Sequence, residues 1–125
     1  MPPFTTLLYL SHTILELCLG AIKLQGRYAH ETPGSKSARS EMYVRHHAFS
    51  LLALALLGYY IWQRDMIDTP YGRDAAVVLA VFHGGATMSF LYTWSQGAIP
   101  ISKVVIPHAP FALAFMWHAI TRVGP

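Results

Sequence analysis

Between Ala75 and Trp94 the chain runs for 20 residues without a Lys, Arg, Asp or Glu. Three further segments share this character. Phe4 to Ile22 carries one charge, Glu16, and Ala48 to Gln63 carries none, extending backward through Met42 to His47. Val104 to Thr121 is uncharged and interrupted by Pro107 and Pro110. A bilayer core about 30 Å thick needs about 20 apolar residues in a helix rising 1.5 Å per residue. Lipid offers the backbone no hydrogen bonds, so each segment is expected to be helical. Composition agrees: of 125 residues 54% are hydrophobic and 12% charged, about half the charge a soluble domain uses to cover its surface.

The fold class expected is all-α, an integral membrane antiparallel bundle of four helices forming one domain over 1–125. The helices are expected at about 4–24, 42–63, 73–95 and 101–122. The connections fit. HETPGSKSARSE, from His30 to Glu41, has the Ser, Gly, Pro and mixed charge of a loop. RDMIDTPYGRD, from Arg64 to Asp74, and SQGAIP, from Ser95 to Pro100, read as turns. Tyr59, Tyr60, Trp62 and Tyr71 are expected near one end of the bundle, and Tyr43, Tyr92 and Trp94 near the other, as interfacial aromatics.

Lys23, Arg27, Lys36, Arg39, Arg45 and Lys103 fall on one side of this topology, and Arg64, Arg73 and Arg122 on the other. The positive-inside rule then assigns the first side to the cytoplasm and both termini to the extracytoplasmic or lumenal side of a multi-pass protein. Net charge +3 reflects this topology rather than affinity for nucleic acid, since no basic helix with interleaved aromatics is present. The lone Cys18 excludes an internal disulfide and a CxxC pair.

SHTILELCLG, from Ser11 to Gly20, sets His12 and Glu16 four residues apart on one helical face. Extending that face collects Thr5, Tyr9, His12, Glu16 and Gly20, with Leu7, Leu10, Ile14, Leu17 and Leu24 elsewhere. Ionisable residues inside a membrane helix usually face the bundle interior. Counted from the extracytoplasmic side, His12 and His83 both fall at roughly 12 Å, Glu16 at roughly 18 Å and His108 at roughly 20 Å. A ladder of titratable groups from several helices is the consequence. Each member also has a packing reading: a Glu–His bond stitching two helices, a His83 beside Gly84 and Gly85 at a close helix approach, or a His108 partnering carbonyls freed by Pro110. His46 and His47 adjoin Arg45 at a helix start; His118 lies toward the far interface and is the weakest candidate.

Histidine takes and gives protons near neutrality, and coupled His–Glu pairs suit general acid–base work. Phe82, Phe90, Phe111, Phe115, Met88 and Met116 are expected to line a cavity for a lipophilic molecule entering from membrane lipid. The leading functional reading is a membrane-embedded isomerase, cyclase or lyase, with no cofactor. His12, Glu16, His83 and His108 are its expected catalytic groups, and Arg45, His47, Tyr9, Phe111 and Phe115 its expected substrate contacts. A second reading is a redox protein with haem on His12 and His83, or a non-haem metal on His12, Glu16, His83 and His108. A third is a non-catalytic scaffold or accessory subunit, partnered by its own copy or by a larger membrane enzyme, in a layout similar to that of other small four-helix membrane proteins.

Overall fold

A computed structural model describes residues 3–25, 38–102 and 108–121. Among them the chain is all-α, with four helices: α1 (Pro3–Leu24), α2 (Ala38–Gln63), α3 (Pro70–Ser95) and α4 (His108–Thr121). Two of them, α1 over Phe4–Leu24 and α3 over Pro70–Ser95, are long and apolar enough to cross a membrane. The expected four are thereby reduced to two that meet the criterion. Helix α2 opens on the polar stretch from Ser40 to His47, and α4, at 14 residues, rises only about 21 Å.

The helix ends differ from expectation for identifiable reasons. Helix α3 starts at Pro70, so the expected turn up to Asp74 is shorter. Thr69 caps α3, its hydroxyl accepting from the Gly72 N–H at 3.4 Å, and Pro70 at N1 loses no helical hydrogen bond. Helix α4 is described from His108; residues 103–107, between it and the start expected near 101, lie outside the described residues. Pro110 is the third residue of the described helix. The upstream carbonyls that His108 was expected to serve lie outside the described residues. Helix α2 closes in a Schellman arrangement: Asp65 N donates to Trp62 O at 3.1 Å and Met66 N to Ile61 O at 2.9 Å. Asp65 takes the left-handed conformation there, with φ 55, which Asp tolerates better than most residues. Gly97, φ 71, plays the same part after α3, with Gly97 N bonded to Trp94 O and Ala98 N to Thr93 O.

The packing partners fix the topology. A Cβ placed on Gly20 would meet Leu52 and Ala48, whereas one on Gly58 would meet Thr13 and His12, so α1 and α2 are antiparallel. His118 reaches Ile67 just ahead of α3, and His108 reaches His83 and Phe90 farther along it, so α3 and α4 are antiparallel too. Phe4 meets Trp117, and His12 meets Phe111. Helices α1 and α3 consequently run parallel, with the Tyr9 hydroxyl bonded to Gly72 O and His12 edge to face with His83. Leu8, Tyr9, Ile61, Ile67, Ala76, Leu79 and Phe115 form the packed core.

The outer surface is apolar. Leu7, Phe49, Val81, Leu113 and Ile120 are all more than 60% exposed. The expected inner stripe of α1 is the buried one: Thr5, Tyr9, His12, Glu16 and Gly20 are buried, Leu7, Ile14, Leu17 and Leu24 exposed, and Leu10 half-buried. Gly84 and Gly85 do not mark a helix approach, because nothing lies within 4 Å of a Cβ built on either. Gly72 is the tightly placed one, against the turn ahead of α3: its Cβ would collide with the carbonyls of Ile67 and Met66. Gly72→Ala should therefore lower stability by about 1–3 kcal/mol through backbone displacement. Gly84→Ala should raise it by about 0.5–1 kcal/mol through helix propensity. Thermal unfolding in detergent, followed by circular dichroism, checks both directions; equal effects would contradict this packing.

Candidate functional site

Helix α1 presents His12 and Glu16 inward on successive turns, and α3 brings His83 to the same level. The three are 0%, 1% and 0% exposed. Glu16 Oε1 lies 3.8 Å from His12 Nε2 and 3.6 Å from His83 Nε2, so one carboxylate oxygen faces both imidazoles. The two rings meet edge to face, with centroids 5.0 Å apart. His108, buried at the start of α4, completes the row: its Nδ1 is 3.1 Å from His83 Nδ1. Three helices thus supply four titratable groups in contiguous contact, the four singled out from the sequence.

Aromatic rings close around them. Phe115 meets the His12 ring at 5.1 Å, and Phe111 stacks on His83 at 5.2 Å. Phe82 packs edge-on against His83 at 5.2 Å, and Phe90 stacks on His108 at 5.3 Å. Met88 and Met116, expected to line the same interior, point outward and are 67% and 51% exposed.

This enclosure leaves polar atoms without partners. Both Glu16 oxygens, both His12 ring nitrogens and His83 Nε2 are buried with no hydrogen bond among the described residues. An unsatisfied buried polar group costs roughly 1–3 kcal/mol on mutational scales, and more when charged. Several such atoms aimed at one point form an arrangement that a proton, a ligand or a cation would relieve. The His12, Glu16 and His83 ligand atoms all lie within 4.8 Å of one another, a spacing on which one metal ion can draw. Haem does not fit the same pair. His12 and His83 touch edge to face, and a macrocycle would have to pass between them.

The remaining expected contacts fall elsewhere. Tyr9 is fully buried, but its hydroxyl donates to Gly72 O at 2.7 Å, tying α1 to the start of α3. Arg45 and His47 are exposed on the first half of α2. His47 accepts at Nδ1 from Lys23 Nζ at 3.1 Å. Lys23 was not singled out beforehand, although it follows Glu16 by two turns on the same face. His118, the weakest candidate, is fully buried, with Nε2 donating to Ile67 O at 3.1 Å; it belongs to the same end of the core as Tyr9, whose ring it meets at 5.8 Å. His30 lies outside the described residues.

No protein-family model matches the chain, and neither a curated protein nor a solved structure matches it. Function must be argued from the site alone.

If the Glu16 carboxyl is a buried polar group whose partners are missing, Glu16→Leu should stabilise the folded chain by about 1–3 kcal/mol. Phe115→Ala, opening a hole beside His12 and Tyr9, should destabilise it by about 3–5 kcal/mol. Parallel thermal melts test both. A large loss of stability in Glu16→Leu would mean that the carboxyl is a structural bond after all.

Proposed function

We propose that the chain is a multi-pass membrane enzyme that moves a proton on a lipophilic small molecule, in the manner of an isomerase, cyclase or lyase. Glu16 and His12 are its acid–base pair. The observation that carries this reading is the Glu16 carboxyl, buried without a hydrogen bond among the described residues and faced by imidazoles within 4 Å. A side chain held that way has its whole bonding capacity free for a bound molecule.

The row supports proton movement in either direction. With Glu16 ionised, His83 donates from Nε2 toward it and accepts at Nδ1 from His108. When Glu16 takes a proton from substrate, the order reverses: Glu16 donates to His83 Nε2, and His83 Nδ1–H donates to His108. Both arrangements use the same 3.6 and 3.1 Å approaches; the first holds the carboxylate charge against His83, and the second is neutral throughout. A proton accepted at one carbon of a substrate can then be returned at another, which is the requirement of an isomerase or cyclase.

A lipophilic substrate matches what surrounds the row. Phe82, Phe111 and Phe115 offer it only apolar contact. A further apolar groove of about 330 Å³ lies between α1 and α2, lined by Thr13, Leu17, Leu52, Ala55, Leu56 and Tyr59. Substrate would arrive through the bilayer that the exposed leucines, valines and isoleucines of the outer surface suit. On this reading all four helices lie in the membrane, with the termini extracytoplasmic or lumenal.

Two experiments follow. Membranes carrying the wild-type chain, incubated in deuterium oxide, should incorporate deuterium into an extractable lipophilic metabolite. Glu16→Gln should reduce that incorporation by about 10²–10⁴-fold at unchanged expression; equal labelling by mass spectrometry would remove Glu16 from the chemistry. Cys18 reports the membrane placement, being exposed on the outer face of α1. A membrane-impermeant maleimide should leave it unlabelled in opened membranes and label it after detergent extraction. Rapid labelling before extraction would contradict a spanning α1.

A further inference from the structure

We infer that His12, Glu16 and His83 form a three-ligand site for one divalent transition-metal ion, zinc or ferrous iron in class, with His108 as its orienting partner. The inference rests on the cluster of the proton-transfer reading and replaces its relay: with the ion on both Nε2 atoms and Glu16 Oε1, the Glu16-to-His83 transfer does not operate and Glu16 keeps Oε2 as the base. Four observations carry it.

The first is the donor set. Two imidazole nitrogens and one carboxylate oxygen make up the His₂Glu combination of catalytic zinc sites, and also the two-histidine, one-carboxylate face of non-haem iron. The second is convergence. Glu16 Oε1 is 3.8 and 3.6 Å from the two Nε2 atoms. Three ligands around an ion with bonds of about 2.1 Å stand about 3–3.6 Å apart; the two Glu16 pairs need to close in by tenths of an ångström, and the two imidazoles, within 4.8 Å of each other, by about an ångström. The third is that the atoms facing inward, His12 Nε2, His83 Nε2 and the Glu16 oxygens, have no hydrogen bond among the described residues and lie on residues at most 1% exposed. Nothing described competes with an ion for them.

The fourth observation is the second bond of His83. A metal-bound imidazole usually donates its other ring N–H to a fixed acceptor, which sets the tautomer and aims the lone pair. His83 Nδ1 has such a partner in His108 Nδ1 at 3.1 Å. With the ion on Nε2, His83 must carry its proton on Nδ1 and donate, and His108 must accept and keep its own proton on Nε2.

Two substrate consequences follow. Three protein ligands leave coordination positions open, as at catalytic rather than structural metal sites. A divalent ion with one carboxylate keeps a net charge of +1, and the aromatic walls offer no second carboxylate. The class of substrate that fits is therefore an apolar molecule bearing one oxygen able to coordinate the ion, a carbonyl or an enol. Polarising that oxygen eases loss of a proton from the neighbouring carbon, consistent with the reaction class proposed above.

The test uses the full chain, purified in detergent, stripped with chelator and titrated with Co²⁺ as probe. The expected result is one Co²⁺ per chain, with the visible absorption of a four- or five-coordinate nitrogen–oxygen site, displaced by Zn²⁺. His12→Ala, His83→Ala and Glu16→Gln should each abolish that spectrum. His108→Ala should weaken binding about 10–100-fold without changing the stoichiometry, and His46→Ala, an exposed imidazole on α2, should leave it unchanged. Because core substitutions can impair folding, ¹⁵N spectra of the intact wild type supply a second readout. Co²⁺ or Zn²⁺ should convert His83 to the Nδ1-protonated, Nε2-metallated form. Absence of stoichiometric Co²⁺ binding by folded wild type, or binding indifferent to all three ligand substitutions, overturns the metal site. Deuterium incorporation that still depends on Glu16 would then leave the metal-free proton-transfer reading standing. Metal binding without any incorporation would overturn that reading instead and keep the ion.

Discussion

A carboxyl in an apolar interior needs a partner, and the architecture is organised around the one that Glu16 lacks. Taking a carboxylate out of water is expensive, by several kcal/mol even after relaxation. Among the described residues, the ion-pair contacts of the carboxylate oxygens are with histidines and not with a lysine or arginine. The chain sets two imidazoles there, one from the carboxyl's own helix and one from α3, and encloses them in phenylalanine rings. Imidazoles can be neutral, protonated or ligating, so they leave the state of the site open where a fixed cation would close it.

The bundle geometry makes this convergence possible. Antiparallel neighbours place α1 and α3 on a diagonal, running in the same direction, and the Tyr9 hydroxyl bond to Gly72 O sets their relative height. Farther along both helices, His12 and His83 meet edge to face. The short α4 adds His108 from its first turn and Phe111, Phe115 and His118 from the turns that follow. Gly58 on α2 lets His12 and Thr13 approach closely from the other side, since any larger residue would meet both. Site and fold are one set of contacts rather than a site mounted on an independent scaffold.

Much of this was legible in the chain. A 3.6-residue period through apolar sequence identified the buried face of α1, and a rise of 1.5 Å per residue was enough to match His12 with His83 in depth. Both arguments work because a helix in an apolar surrounding has little freedom besides its rotation. What was not legible depended on ends and neighbours. Pro70 was read as a turn residue, whereas it sits in the first turn of α3, where proline is harmless. Met88 and Met116 were assigned inward from composition, but hydrophobicity cannot tell a core face from a lipid face when both are apolar. His118 looked peripheral because its distance from the chain end suggested an interface; its bond to Ile67 O depends on a loop that no periodicity describes. Gly84 and Gly85 suggested close packing, although a small residue permits contact without requiring it.

The most direct test of the account is the separation between the Glu16 carboxyl carbon and the His83 ring nitrogen, measured by rotational-echo double-resonance solid-state NMR on selectively ¹³C- and ¹⁵N-labelled protein in lipid bilayers. The account predicts strong dephasing between these two nuclei, as the 3.6 Å oxygen-to-nitrogen approach requires. Absence of dephasing in folded, membrane-inserted protein would mean that carboxyl and imidazole point apart, and neither the proton relay nor the metal site would then have a place to form.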